Sequence, residues 1–315
     1  MTRVQFLQLA VRIAGACAAG SVLGPAGIAL GAEAETVSAP VRRRPIPSTG
    51  QMLPVVGAGT AVVYDIEPGD AKFTLLVETV RTFLAQGGAV IDTSPTYGRA
   101  EKSLGEILRR IAGRERAFLA TKISTTGEQA GIDSAAASLR DLGTSRIDLL
   151  QVHNIRDTAV HLRTIRRLQD EGKVRYVGIT TSFRNSYGEY ERIMRREKLD
   201  FIQIDYALDN RTAEERILPL ARDRGMAVLI NLPFGRGRLF SKARGRPLPP
   251  WAADIDCTSW AQLFLKFVLA HPAVTTVIPG TDRPEFALDN LNAARGRIPD
   301  ARMREQILNY WDQLG

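Results

Sequence analysis

The chain has 315 residues, 44% hydrophobic and 24% charged, which are ordinary globular proportions and enough for one large barrel-type domain or two smaller ones. Its formal charge of +8 invites a nucleic-acid partner, but the basic residues are spread along the chain and Arg42, Arg43 and Arg44 form the one compact run. No aromatic-interleaved basic motif accompanies them, so nucleic-acid binding is not expected, and no metal site is expected either.

Residues 1–34 differ in composition from the rest. A short start carrying Arg3 leads into a nearly uncharged stretch from Ile13 to Leu30 and ends on small residues, the pattern of an export signal. The stretch is rich in Gly and Ala and contains Pro25, so no stable membrane span is expected in the mature protein. "TRVQFLQ" resembles a degenerate twin-arginine signal, with Val4 where the second arginine would stand. Without the signal Cys257 is the only cysteine, which excludes an internal disulfide and favours export of an already folded chain. The export machinery is therefore an expected partner and the periplasm, or another exported location, the expected destination; the cytoplasm is the alternative. Residues 35–45 read as a linker and 46–315 as the folded domain.

Beyond the linker, short apolar runs alternate with helical patterns. The runs are "LPVVGAG" near 53, "AVIDT" near 89, "AFLATKI" near 117, "IDLLQVH" near 147, "VRYVGIT" near 174, "DFIQID" near 200, "AVLIN" near 227 and "VTTVIPG" near 274. Between them, Leu104, Ile107, Leu108 and Ile111 share one helical face, and Leu162, Ile165 and Leu168 another, closed at Gly172. Thr212 to Glu215 has the spacing of a capping box ahead of Ile217 and Leu218, and Gly225 stands where a left-handed cap would end that helix. Eight β-α units predict an eight-stranded parallel (β/α)8 barrel, with the active site at the C-terminal ends of its strands. A doubly wound sheet is the other candidate, but "GAGTAVVYD" at 57–65 is not its G-x-G-x-x-G fingerprint.

Polar residues end successive runs: Asp92 the second, Lys122 the third and His153 the fourth, with Tyr97 in the loop after Asp92. Singly, each has a structural reading, as a turn former, a snorkelling lysine or a core histidine. On one barrel rim they converge. A free phenol, with a pKa of about 10, is a poor acid near neutrality. A nearby ammonium stabilises its phenolate and makes the proton transferable, and a carboxylate beside that ammonium keeps it charged in a partly dry pocket. An imidazole N–H can then orient a carbonyl oxygen.

The order Asp, Tyr, Lys, His, set in "DTSPTYG", "ATK" and "LLQVHN", resembles the aldo-keto reductase family, and the similarity runs from about Arg44 to Leu314 through "RPIPSTG", "YGRAEKSLG" and "VIPGTDRPEFALDN". The resemblance implies a barrel enzyme that reduces an aldehyde or ketone by hydride transfer from NAD(P)H, with NADP(H) expected over NAD(H) and a small-molecule carbonyl as substrate. It makes Tyr97 the proton donor, Lys122 and Asp92 its tuning pair and His153 the group that orients the carbonyl. It assigns the nicotinamide carboxamide to Asn154, Thr180 and Gln203, the first loop's passage along the cofactor to Gly59 and Thr60, and the phosphate and adenine side to Thr281, Arg283 and Asn290. Phe234 and Gly235 belong to the segment after the seventh strand. The alternative is a nicotinamide-binding regulatory or partner-docking barrel with little turnover.

The sequence departs from the family pattern in three ways. Thr180 and Thr181 replace Ser-Asn, Asn231 stands where an aromatic ring commonly stacks on nicotinamide, and Gly280 and Phe286 stand where basic residues often clamp a 2′-phosphate, which leaves Arg283. The seventh loop, from Asn231 to Cys257, is long and basic. It reads as a strap over the pyrophosphate, supplied with Arg236, Arg238, Lys242 and Arg244, or as a solvated surface loop; Trp251 or Trp260 would wall the pocket or pack as core. Tyr64 and Tyr206 are candidates for the substrate side.

Overall fold

The computed structural model describes residues 39–87 and 89–314. The expected export signal and the first residues of the expected linker lie outside the described residues. The linker does not extend to 45: Arg43–Pro45 form strand β1, which pairs antiparallel with β2 (Met52–Pro54). The cause is Arg44, whose guanidinium donates to the carbonyls of Leu269, His271 and Val274 and so binds the entry segment to the domain.

Eight parallel strands follow: β3 (Ala58–Gly59), β4 (Ala89–Asp92), β5 (Ala117–Ile123), β6 (Ile147–His153), β7 (Val174–Thr181), β8 (Phe201–Asp205), β9 (Ala227–Asn231) and β10 (Thr276–Val277). They lie side by side in chain order, and bridges from Val56 to Val277 and from Gly59 to Gly280 close the first against the last. The result is the (β/α)8 barrel; the doubly wound alternative, an open sheet with permuted strand order, is not formed. The seam needs glycine, since a Cβ on Gly59 would lie 2.8 Å from the Ile278 carbonyl oxygen.

Helices cover the outside. Helix α1 (Ala71–Ala85) starts at Asp70, whose side chain accepts from the Lys72 N–H; α2 (Ala100–Arg110) buries Leu104, Ile107 and Leu108; α3 (Glu128–Asp141) and α4 (Thr158–Asp170) follow, the latter burying Leu162, Ile165 and Leu168. Helix α5 (Tyr187–Arg196) precedes β8, and α6 (Ile217–Asp223) precedes β9. The capping box before α6 is not formed: Thr212–Glu214 make a separate 3-10 turn and Arg216 is the N-cap, without a side-chain cap bond. Glu215, the acid of the expected box, falls instead at the end of that turn, its N–H returning to the Thr212 carbonyl at 3.3 Å. Gly225 does take the left-handed conformation, φ 64°.

The barrel interior is graded along its axis. Strand side chains alternate in and out, so the inward residues of β5 are Phe118, Ala120 and Lys122, of β6 Leu149, Gln151 and His153, and of β8 Phe201, Gln203 and Asp205. The lower members pack with Ile46 and Leu53 of the entry hairpin into an apolar plug, with Phe118, Tyr176 and Phe201 in ring contact at 5.5–5.9 Å. The upper members are polar. One parity rule thus fills the bottom with hydrocarbon and delivers functional groups to the C-terminal mouth.

Candidate active site

Lys122 and Asp92 lie at that mouth, 1% and 3% exposed. The Lys122 ammonium donates to Asp92 Oδ2 at 2.8 Å and to the Thr93 carbonyl at 2.6 Å. Asp92 also accepts from the Gln151 amide on Oδ1 and the Gln203 amide on Oδ2, both at 3.4 Å. Burial pushes the Asp92 carboxyl up, against the pull of Lys122 and the two amides. For Lys122 burial acts downward, but Asp92 and then the Tyr97 phenol outweigh it and hold the ammonium above the usual lysine value. Taken alone, the two directions disagree over whether the pair is charged. The donors on both carboxylate oxygens decide for the ion pair, because a neutral acid would leave the ammonium dry and uncompensated.

Tyr97 is half-buried in the loop between β4 and α2, and the Lys122 ammonium lies 5.0 Å from its ring centroid. The His153 ring meets the Tyr97 ring edge-on, with centroids 6.1 Å apart. Burial, then the charges of Lys122 and Arg156, drive the His153 pKa down to about 3, so its imidazole is neutral across the working range. Its Nδ1 faces Ser94 Oγ at 3.4 Å, and Ser94 is held in turn by Thr96 at 2.9 Å. The four residues expected to converge do converge.

The cofactor candidates divide. Thr180 is buried between His153 and Gln203 in the strand register. Gln203 is tied into the acid network, accepting from Gln151 at 2.8 Å. Asn154 stands in the left-handed region at φ 52°, at the turn leaving β6. Gly59 serves the barrel seam, and Thr60 next to it has a buried hydroxyl with no hydrogen-bond partner. Thr281 and Asn290 are joined, the Asn290 amide donating to the Thr281 hydroxyl at 3.0 Å, while Asn290 Oδ1 is buried and without a partner. Arg283 lies over the Phe286 ring at 5.9 Å and only 3.8 Å from Glu285, a loose pair that leaves its guanidinium usable. Asn231 Oδ1 is also buried and unpartnered. Phe234 packs its ring on Phe240 at 4.8 Å, and Gly235, at φ 56°, passes against the Asp209 carboxylate.

The seventh loop differs from the expectation in part. Lys242 in helix α7 (Arg238–Lys242) donates to the Trp311 carbonyl at 2.9 Å and sits over that ring, so it is not a free cation. Arg238 pairs with Asp209 at 2.9 Å, which leaves Arg236 and Arg244 exposed. Trp251 and Trp260 pack half-buried against the core: Trp251 meets Tyr310 edge-on and Trp260 stacks on Phe264. Tyr206 is fully buried, bonded to Glu214 and Arg304, and cannot reach a substrate; Tyr64 is likewise fully buried. Gln151, which bridges Asp92 and Gln203, was missed from the sequence, although it stands two residues before His153 on the inward parity.

These residues suit a nicotinamide dinucleotide. Orphaned oxygens on Thr60, Asn231 and Asn290 line the mouth from the first strand's loop to the helix α9 (Pro284–Asn292), where carboxamide, ribose and adenine donors would satisfy them. A family model described as "Aldo/keto reductase family" matches residues 56–306. The chain belongs to the aldo/keto reductase family. It is 29% identical over 215 residues to the aldo-keto reductase YhdN of Bacillus subtilis, covering 62% of this chain and 63% of that relative. It is 24% identical over 317 residues to the NADH-specific methylglyoxal reductase of Escherichia coli, covering 83% and 96%. Among solved structures, an aldo/keto reductase from Klebsiella pneumoniae in complex with NADP and acetate matches at a TM-score of 0.72 and 23% identity, over 87% of this chain and 96% of that one.

Proposed function

We propose that this aldo/keto reductase family member is an NAD(P)H-dependent oxidoreductase, with NADP(H) favoured, that reduces the carbonyl of a small aldehyde or ketone. The observation that carries the reading is the buried Lys122 ammonium, held by Asp92 at 2.8 Å and facing the Tyr97 ring at 5.0 Å. A bound reduced nicotinamide supplies the hydride. Tyr97 gives its proton to the carbonyl oxygen, and Lys122 stabilises the phenolate left behind without having to be recruited from solvent. Asp92 keeps that ammonium charged, and Gln151 and Gln203 fix Asp92. Neutral His153 donates a ring N–H toward the carbonyl oxygen and sets its direction. Asn154, Thr180, Gln203, Thr281, Arg283 and Asn290 would hold the dinucleotide. Relatives supply the cofactor class: the Klebsiella protein is in complex with NADP, whereas the Escherichia coli relative is named NADH-specific.

The test is Tyr97→Phe. Turnover of carbonyls should fall by at least about 100-fold, the usual worth of a positioned proton donor, while NADPH still quenches tryptophan fluorescence at the wild-type concentration. Equal rates in the two proteins contradict the proton-donor role. Tight NADPH binding without oxidation by any carbonyl would instead indicate a docking barrel.

A further inference from the structure

Arg156 stands three residues beyond His153, at the rim of the mouth. Its backbone N–H returns to the His153 carbonyl at 3.1 Å, and its Nη1 donates to the Ser124 carbonyl at 3.4 Å. Ser124 directly follows β5, two residues after Lys122, so the guanidinium spans the gap between the two strand ends that carry Lys122 and His153. The turn that puts it there is strained: Asn154, Ile155 and Asp157 have φ of 52°, 50° and 50°, and the left-handed region is an outlier for β-branched Ile155. Such strain persists where neighbouring bonds impose it, and it gathers at functional sites. Here Asp157 accepts from the Gly127 N–H at 2.8 Å and Thr158 Oγ1 donates to the Ile155 carbonyl at 2.7 Å.

Arg156 is exposed, and among the described residues no carboxylate pairs with it. One long bond to a carbonyl leaves most of its five N–H donors unused. Asp157, next in the chain, is committed to the Gly127 backbone, and Asp92 at the mouth to Lys122. The charge of Arg156 is already felt at His153. Among the described residues the rim therefore presents a cation without a carboxylate partner, between the strand ends that carry Lys122 and His153.

Resting on the reductase reading above, we propose that Arg156 is a specificity residue that binds the carboxylate of an oxo-acid substrate, an aldehyde or ketone whose far end is anionic. The planar fork of a guanidinium matches a carboxylate in two parallel bonds, which fixes the substrate's direction as well as its position. With the far end on Arg156, the carbonyl end lies toward Tyr97 and His153. Phosphate shares the charge but not the planarity, and the test separates the two.

Steady-state kinetics with NADPH compare 4-oxobutanoate with butanal, its uncharged four-carbon counterpart, in the wild type, R156Q and R156K. The wild type should favour the oxo-acid by at least about tenfold in kcat/KM, and R156Q should remove about tenfold of that ratio through KM, as expected for a lost charge-assisted bond. R156K should retain part of it. An unchanged ratio in R156Q overturns the proposal, while turnover of butanal still upholds the reductase reading. A preference that depends on Arg156 for glyceraldehyde 3-phosphate over glyceraldehyde, without one for 4-oxobutanoate, overturns the carboxylate assignment. If no carbonyl is turned over, the reductase reading fails by itself. Calorimetric titration of 4-hydroxybutanoate into NADP-saturated protein then decides: weaker binding to R156Q than to wild type supports the site, and equal behaviour overturns it.

Discussion

Lys122 shows how much one buried charge demands of its surroundings. Its ammonium has two hydrogen-bond acceptors, Asp92 and the Thr93 carbonyl, and the Tyr97 ring as a third neighbour, so its charge is compensated by position and not by water. Removing one member of a buried ion pair typically costs about 3–5 kcal/mol, because the survivor is left unpaired. Lys122→Met should therefore abolish carbonyl reduction and also lower stability, leaving Asp92 either charged and dry or protonated. In the double variant D92N/K122M no charge is left behind, so stability in urea should recover by about 1–3 kcal/mol relative to K122M, with activity still absent. Recovery of stability without activity separates the pair's electrostatic role from its structural one. If the double variant unfolds at the same urea concentration as K122M, the acid left behind in K122M carries no stranded charge, and the stability lost in K122M is not electrostatic.

At the scale of elements, the strands keep stability and chemistry at opposite ends. Asp148, near the start of β6, is buried; it accepts from the Leu119 N–H at 2.9 Å and pairs with Arg114 at 3.1 Å and Arg175 at 3.2 Å. It thereby joins β5, β6 and β7 at the level of the apolar plug, far along the strands from His153 on the same β6. Asp148→Ala leaves an unmet N–H and two guanidiniums without their acid, so it should cost about 3 kcal/mol of unfolding free energy. Since conserving function needs only the upper ends, kcat with any accepted carbonyl should stay within a factor of two, by the general division of barrel faces; a tenfold loss would show that the lower ends also position the site. The same strands explain what the sequence discloses. Apolar runs closed by Asp92, Lys122 and His153 mark both the strand and its useful end, because a parallel strand buried on both faces must be apolar until it reaches the mouth. Short β1 and β2 carry too few residues to show a period, and β1 is held by Arg44 reaching carbonyls some 225 to 230 positions away, which no local pattern records. Tyr206 and Lys242 look available in sequence for the same reason: their partners, Arg304 and the Trp311 carbonyl, come from helix α10 (Ala301–Gln313) at the other end of the chain.

For the whole molecule, burial of histidine links folding to pH. His271 follows the helix α8 (Trp260–Leu269), accepts from the Ala273 N–H at 3.2 Å and meets the Tyr206 ring edge-on at 6.0 Å. Burial, with the charges of Arg304, Arg222 and Arg44 and against that of Glu214, lowers its pKa to about 4. An unfolded histidine titrates near 6.5, so between those values the unfolded chain binds a proton that the folded barrel refuses. Stability is therefore unaffected by His271 above pH 6.5 and declines as pH falls toward 4, where the folded form accepts the proton too. His153, lowered to about 3, acts in the same direction and extends the window by about a unit. His271→Gln keeps a hydrogen-bonding side chain but cannot titrate, and it lies away from the Tyr97 site. Its unfolding free energy relative to wild type should thus improve by on the order of 2 kcal/mol between pH 7 and pH 4.5, whatever offset the substitution causes at pH 7. Chemical denaturation of both proteins at the two pH values measures that difference directly. A difference that does not change with pH would mean that His271 takes up its proton in the folded barrel as readily as in water, and that the arginines around it are screened.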